Sequence, residues 1–166
     1  MAVKEILLLG DEKLYKVSKE ISKGEVGKAK QIIADLHDTI MDFRKAFGFA
    51  RAIAAPQINE HYRIIYMNLN DEPIAIINPR LEFVDEQQFE VWDDCMSFPG
   101  LEVKVHRYQK CKIFYKDLAW KDCVLEFTGD LSELIQHEYD HLDGILAVQK
   151  AIDNKSFRIN KNKQKA

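Results

Sequence analysis

The stretch that decides the fold and chemistry of this 166-residue sequence is His137-Glu138-Tyr139-Asp140-His141. In an α-helix, residues four positions apart lie one turn apart on the same face. The imidazoles of His137 and His141 can therefore bind one metal ion together, and Glu138 can accept a proton from water that the metal activates. The pattern predicts a metal-dependent hydrolase. An amphipathic helix with two surface histidines would have the same spacing.

The residues around this pentapeptide predict where its helix begins and ends. We expect it to begin near Leu131, with Asp130 as the N-cap, and to end near Gly144. Glu133 precedes His137 by four residues, so it shares the face of both histidines and is a candidate pocket residue. Its place three residues after Asp130 also fits a solvent-exposed capping box. Both interpretations of Glu133 stay open on sequence alone.

The rest of the chain predicts one more helix and a set of strands. Residues 25–47 carry apolar side chains at spacings of three and four and are followed by Gly48. Between residues 62 and 127, short β-rich runs alternate with turn signals. We therefore predict an α+β fold, with antiparallel β-sheets packed around a central helix that carries the histidine motif, preceded by an N-terminal amphipathic helix. A single catalytic domain over residues 1–153 and a basic, flexible tail over 154–166 complete the prediction.

Composition narrows the classes of function. Hydrophobic residues make up 46% and charged residues 31% of the chain, which is typical of a globular domain. The net charge of -3 argues against DNA as a partner, and no apolar run is long enough to cross a membrane. Three cysteines and the absence of a signal-peptide pattern at residues 1–10 indicate the cytoplasm. The tail could make a transient contact with ribosomal RNA through its basic side chains: Lys155, Arg158, Lys161, Lys163 and Lys165.

A catalytic metal site usually has three protein ligands and one open position, so a third ligand is needed. Asp143 follows His141 by two residues and faces away from it on the helix. Spacing does not exclude Asp153. Cys95 stands out because it falls just past a predicted strand, where the chain turns before Pro99 and Gly100.

Three motifs in this sequence resemble those of the peptide deformylase family. That family carries Gly-x-Gly-(aliphatic)-Ala-Ala-x-Gln, then Glu-Gly-Cys-Leu-Ser, then Gln-His-Glu-x-Asp-His. This chain reads ARAIAAPQ at residues 50–57, DDCMS at 93–97 and QHEYDH at 136–141. The third motif matches closely, and the first two match in part. The resemblance extends from about residue 5 to residue 148.

The resemblance implies a metal ligand set and a reaction. Cys95, His137 and His141 would hold one divalent ion, Fe²⁺ in the cell, with Zn²⁺, Ni²⁺ or Co²⁺ as substitutes; ligand type alone does not choose among them. The substrate would be the formyl-methionine of nascent polypeptides, from which the N-formyl group is removed. Glu138 would accept the proton and return it to the leaving amine.

Further roles also follow from the resemblance. The Gln57 side-chain amide and the Met96 backbone N–H would stabilise the oxyanion, although a loop amide satisfying local backbone is an alternative for Gln57. Arg107 would pair with Asp93 and orient the Cys95 loop, unless the two form a solvated surface pair.

Several departures from the family pattern fall on positions expected to contact substrate. Ala50 and Ala52 replace the two glycines of the first motif, Arg51 lies between them, and Asp94 replaces the glycine of the second. Together with Glu133, residues 50–52 are the predicted substrate-binding set. These changes keep open a deformylase-like amidohydrolase with a different N-formyl or N-acyl substrate. A module that binds metal only for structure is a third possibility, against which Glu138 and the lack of a fourth protein ligand argue.

Overall fold

The computed structural model describes residues 2–165 and has the predicted α+β architecture. The two α-helices of this part of the chain are α1 (Val26–Phe47) and α2 (Asp130–Leu142). The strands, in chain order, are β1 (Ala52–Ala54), β2 (Ile64–Leu69), β3 (Glu72–Phe83), β4 (Gln88–Asp94), β5 (Leu101–Tyr108), β6 (Lys110–Lys116), β7 (Asp122–Thr128) and β8 (Phe157–Ile159). Every pairing between these strands is antiparallel. None of the described helices is long and apolar enough to cross a bilayer.

The strands form two sheets on either side of α2. The larger has the order β1-β2-β3-β6-β7, and the smaller has the order β4-β5-β8. The apolar face of α2, with Ile135 and Leu142 fully buried, packs in one cluster with Ile65, Ile76 and Ile113 of the larger sheet. A buried side chain of this size contributes about 1.5–3 kcal/mol to folding. This packing orients the opposite face of α2 toward the end of β4.

Helix α1 confirms the amphipathic pattern of residues 25–47. Ile32, Leu36 and Ile40 are buried in a cluster that includes Ile64 of β2. The helix ends at Gly48, whose backbone is left-handed at φ 79° and whose N–H donates to the Arg44 carbonyl. A glycine adopts this conformation without steric cost, which is why the helix stops there.

The ends of α2 differ in detail from the sequence-based expectation. Gly129, not Asp130, is the N-cap, and no side chain of the described residues caps the helix. The Asp130 carboxylate instead lies 2.8 Å from Nη1 of Arg51. After the helix, Gly144 has φ 70°, and a Cβ at this position would lie 2.3 Å from the Tyr15 carbonyl oxygen. Only glycine fits there without moving the backbone of the N-terminal segment.

The prediction of a flexible tail is wrong for the part of it that forms β8 and the turn after it. Strand β8 pairs with β5, with Phe157 opposite Val103 and Ile159 opposite Leu101. Arg158 and Lys163 both form ion pairs with Glu102 of β5. No apolar periodicity reveals this strand, because backbone pairing and ion pairs hold it in place.

Candidate metal centre and active site

Three predicted ligands converge although they come from separate elements. Cys95 follows the last residue of β4, whereas both histidines lie on α2. The Cys95 sulfur is 3.3 Å from Nε2 of His141, which is 3.1 Å from Nε2 of His137. The three ligand atoms all lie within 4.8 Å of one another, and all three residues are buried. One thiolate and two imidazoles at this spacing fit a single divalent metal ion with one open position.

The alternative third ligand does not join this cluster. Asp153 uses its Oδ1 to accept hydrogen bonds from the backbone N–H of Lys155 and the hydroxyl of Ser156. Its carboxylate therefore stabilises a local turn after α2.

A buried ion-pair network stands behind His137. Oδ1 of Asp93 lies 2.9 Å from Nδ1 of His137. At this distance the carboxylate attracts a proton carried by Nδ1, although the two groups are not aligned well enough to count as a hydrogen bond. Nη2 of Arg107 lies 2.6 Å from Oδ2 of Asp93, and its Nη1 lies 2.6 Å from Oδ2 of Asp140. Asp93 and Arg107 are almost fully buried, so they do not form a solvated surface pair. With Nδ1 turned toward Asp93, Nε2 is left for the metal.

The charges that face Asp93 determine its protonation state. Burial alone would raise the pKa of Asp93, but the facing His137 and Arg107 outweigh it and hold the pKa well below its usual range. Asp93 is therefore a carboxylate, and Arg107 balances its charge inside the protein.

Glu138 lines the cavity beside the ligands. Its side chain is buried, and its Oε2 has no hydrogen-bond partner among residues 2–165. Burial raises the pKa of Glu138 to about 7. A carboxyl group with a pKa near neutrality can both accept and return a proton, which is what a general acid–base group must do.

Gln57 and Met96 bring hydrogen-bond donors to the same place. Oε1 of Gln57 accepts from the Ala54 N–H, while its Nε2 lies 3.5 Å from the Cys95 sulfur and 3.1 Å from the Ser97 hydroxyl. The amide oxygen of Gln57 thus binds the backbone nearby, and the amide nitrogen points toward the predicted metal ligands. In the described part of the chain, the Met96 backbone N–H donates to no acceptor.

A cavity of about 400 Å³ opens beside the ligands and is lined by the whole predicted substrate-binding set. Ala50 has φ 156°, where a glycine is normally favoured, and Ala52 is buried at the start of β1. Glu133 is only 6% exposed, so the solvent-exposed interpretation is wrong. Burial and the neighbouring Asp93 raise the pKa of Glu133 to about 8.

Sequence reasoning missed five residues that line the cavity: Arg44, Gly48, Phe49, Leu134 and Lys163. Nζ of Lys163 lies 2.9 Å from Oδ2 of Asp94 and 3.2 Å from Oε2 of Glu102. No local pattern signals Lys163, because it reaches the cavity only through the pairing of β8. Leu134 could have been found from its helix position next to Glu133.

An α+β fold in which a His-Glu-x-x-His helix meets a cysteine thiolate defines a class of metal-dependent amide hydrolases. A family model described as polypeptide deformylase matches residues 3–157. The peptide deformylase of Dictyoglomus thermophilum is 33% identical over 91% of this chain and 94% of its own length. That of Teredinibacter turnerae is 34% identical over 99% of this chain and 96% of its own length.

Solved structures agree with these relatives. The crystal structure of the peptide deformylase from Thermotoga maritima has a TM-score of 0.83 and 26% identity, covering 92% of this chain and 100% of that one. This chain belongs to the polypeptide deformylase family. It is accordingly a metallo-hydrolase that deformylates peptides.

Proposed function

We propose that this chain removes the N-formyl group from formyl-methionine of nascent polypeptides, with Cys95, His137 and His141 as its metal ligands. Family membership supports the reaction class. The structural observation that carries the residue assignment is the convergence of one sulfur and two nitrogen atoms within 4.8 Å, next to the buried Glu138. The proposed ion in the cell is Fe²⁺, with Zn²⁺, Ni²⁺ or Co²⁺ as substitutes.

When bound, the metal supplies a Lewis acid that polarises the formyl group and lowers the pKa of water. Glu138 accepts the proton of the attacking water and passes it to the leaving amine. The Gln57 amide and the Met96 N–H donate hydrogen bonds to the oxygen that gains negative charge. Loss of one such donor typically raises the barrier by about 3 kcal/mol. Asp93 and Arg107 are positioning residues that orient His137.

The free edge of β1 is the proposed place for the peptide backbone. This strand is the first of the five-stranded sheet, and among residues 2–165 it pairs on one side only, with β2. Residues 50–52 line the cavity, so an extended peptide can add beside them as a further strand, which is a common mode of peptide recognition. The formyl group then lies at the metal ligands.

A second candidate is a deformylase-like amidohydrolase with a different N-formyl or N-acyl substrate. The observation that favours it is the charge in the cavity, where Asp94 and Glu133 contribute carboxyl groups and residue 50 adds a methyl group. These features change recognition and leave the proposed ligands and base in place.

A cytoplasmic location belongs to the proposal, because nascent chains are its substrate. The transient ribosome contact is proposed for Lys155, Lys161 and Lys165 alone. Arg158 and Lys163 are already paired with carboxylates of the same chain.

Anaerobic purification with metal analysis, followed by an assay on formyl-Met peptides, tests the function. The Glu138→Gln variant should keep its metal and lose turnover by a factor of about 10²–10⁴, the contribution typical of acid–base catalysis. Glu126→Gln, on the exposed face of β7, is the matched control and should retain activity. No turnover by the iron- or cobalt-loaded protein on several formyl peptides would contradict the proposal.

A further inference from the structure

Arg44 lies in the last turn of α1 and lines the cavity, but the proposed mechanism gives it no role. We propose that Arg44 is a positioning residue, whose guanidinium holds the peptide group between Ala50 and Arg51 in the orientation that a formyl peptide needs to pair with the free edge of β1. The inference rests on the proposed deformylase function and deepens it, because it names a residue outside the three motifs that controls binding of the substrate backbone.

The guanidinium of Arg44 joins acceptors on two segments of the chain. Its Nε donates to the Ala50 carbonyl at 2.7 Å, and its Nη1 donates to Oδ1 of Asn68 at 2.7 Å. Its Nη2 donates to the backbone carbonyl of Asn68. The Asn68 N–H in turn donates to the Arg51 carbonyl at 2.8 Å. Arg44 therefore links residues 50 and 51 to β2 at the point just before β1 begins.

The part of β2 that Arg44 binds is itself held in place. Asn68 and Tyr66 are almost fully buried. Nδ2 of Asn68 donates to the Tyr66 hydroxyl at 3.2 Å, and this hydroxyl lies 2.7 Å from Nδ1 of His37 on α1. A buried polar network whose members are hydrogen-bonded to one another rigidifies the residues that form it. The oxygen of the Asn68 side chain is therefore a fixed anchor for Arg44.

The backbone of Ala50 needs support of this kind. Its φ is 156°, in a region that glycine enters freely and alanine does not. A residue stays in a sparsely populated conformation only where the surrounding structure holds it there, and such residues are frequent at functional sites. The hydrogen bond from Nε of Arg44 to the Ala50 carbonyl supplies this support.

The orientation of this peptide group determines what it offers to a substrate. Because a peptide group is planar and trans, the Arg51 N–H points away from the Ala50 carbonyl that Arg44 holds. Among residues 2–165, the Arg51 N–H donates to no acceptor, and Arg51 lines the cavity. A peptide that adds as a strand depends on main-chain hydrogen bonds for its affinity. Without Arg44 this peptide group would rotate, and its free donor would no longer face the substrate.

A purely structural role for Arg44 predicts something different. If Arg44 only stabilised the fold, its replacement would lower the activity on all formyl substrates by the same factor. A positioning role predicts a loss that depends on the substrate backbone. The formyl derivative of decarboxylated methionine keeps the formyl amide and the methionine side chain, but it lacks the carbonyl and all later backbone atoms. Comparison of this short substrate with formyl-Met-Ala-Ala therefore separates the two roles.

The test measures Arg44→Met and the wild type, both loaded with metal, on these two substrates. Methionine keeps an apolar stem and removes the donors. We expect kcat/KM for formyl-Met-Ala-Ala to fall by about tenfold, mainly through a higher KM, because backbone hydrogen bonds bind ground state and transition state alike. The value for the short substrate should change by less than about twofold. Lys45→Met removes the same charge from an exposed position in the same helical turn and should change neither value.

Two further variants test the link between Arg44 and Ala50. Arg44→Lys keeps the charge but not the planar fork of donors, so kcat/KM for the tripeptide should fall in the same direction. Because glycine adopts the backbone conformation of residue 50 without strain, Arg44→Met should cause a smaller loss in the Ala50→Gly background than in the wild type. Equal losses in the two backgrounds would contradict the proposed link.

Binding gives a readout that is independent of turnover. In the Glu138→Gln background, calorimetry should show that Arg44→Met weakens binding of formyl-Met-Ala-Ala and changes binding of the short compound little. Losses of the same factor on both compounds, or on neither, would overturn the positioning proposal even with normal deformylase activity. Binding of the tripeptide that depends on Arg44, without any turnover by the wild type, would support the proposal and contradict the deformylase function. Arg44→Lys decides the question if Arg44→Met does not fold.

Discussion

The two sides of the cleft are built differently. On the α2 side, the two histidines are backed by Asp93 and Arg107, which are almost completely buried and paired at 2.6 Å. On the opposite side, Asp94 and Lys163 are both about 30% exposed and pair at 2.9 Å. In the proposed function, the first side positions the metal ligands and the second faces the substrate. Asp94, on the second side, departs from the family motifs, whereas His137, Glu138 and His141 match them.

The energetic meaning of an ion pair differs between these two environments. Removing one partner of a buried pair leaves an uncompensated charge in a medium that solvates it poorly, which costs about 3–5 kcal/mol. A solvent-exposed pair contributes about 0–1 kcal/mol, because water and salt screen it. Substitutions on the two sides should therefore differ in size as well as in kind.

The largest effect is expected from Arg107→Leu. This change leaves Asp93 buried without its guanidinium partner, so the free energy of unfolding should fall by about 3–5 kcal/mol. Because Asp93 also faces Nδ1 of His137, metal affinity should fall by roughly 10- to 100-fold, as is typical when a group that orients a ligand is lost. Denaturant unfolding and metal titration measure the two effects.

Arg80→Leu is the control for this prediction. Arg80 pairs with Glu82 on the surface and is 59% exposed, so its loss should change stability by less than about 1 kcal/mol. Equal stability of the Arg107→Leu and Arg80→Leu variants would show that the network behind His137 is not a special feature of the α2 side.

The sequence predicted the α2 side better than the opposite side. The spacing of His137, Glu138 and His141 determines a helix face, because 3.6 residues per turn leave no alternative. The place of Cys95, 42 residues before His137, could not be reached by periodicity and came from the family resemblance. Helix geometry also predicted that Glu133 lies on that face, but it cannot predict which part of the fold packs over the face. Burial of Glu133 therefore emerged only from the structure.

The opposite side depends on long-range pairing that leaves no local pattern. Lys163 reaches Asp94 because β8 pairs with β5, a contact between segments more than 50 residues apart. Asp94 and Glu102 lie directly opposite each other on β4 and β5, where two like charges repel. Lys163 binds both carboxylates and removes this repulsion. The charged character of the tail suggested a solvated end, whereas the same charges hold it against the smaller sheet.

A smaller effect is expected at the two alanines that replace glycines. Ala50 has φ 156°, so Ala50→Gly should relieve local strain and widen the groove; we expect kcat/KM for formyl-Met peptides to rise a few-fold. Ala52 lies in β1 opposite Met67 without a positive φ, so Ala52→Gly should only weaken the strand, by about 0.5–1 kcal/mol. Steady-state kinetics and denaturant unfolding of both variants separate the two cases. A larger gain in activity from Ala52→Gly than from Ala50→Gly would contradict this assignment.

The smallest effect concerns the ion pairs of Glu102. Burial would raise the pKa of Glu102, but hydrogen bonds from Arg158 and Lys163 outweigh it and lower the pKa below its ordinary value of 4.5. Because the folded state holds the carboxylate more strongly, its stabilising contribution is fully present above pH 4.5 and is lost as the pH falls through the lowered pKa. Since Arg158 is half-exposed, we expect a contribution of about 1 kcal/mol or less.

Glu102→Gln tests this contribution, because the amide has the shape of the carboxyl group without its charge. The variant should be less stable than the wild type at pH 7, and the difference in unfolding free energy should shrink toward zero once the pH is well below 4.5. Glu126→Gln is the control on β7, where the carboxylate lies 3.6 Å from Lys112 in an exposed pair. A difference that persists unchanged at low pH would show that Glu102 holds β8 through packing rather than charge. The substrate-facing side would then resemble the α2 side more closely than its exposed ion pairs suggest.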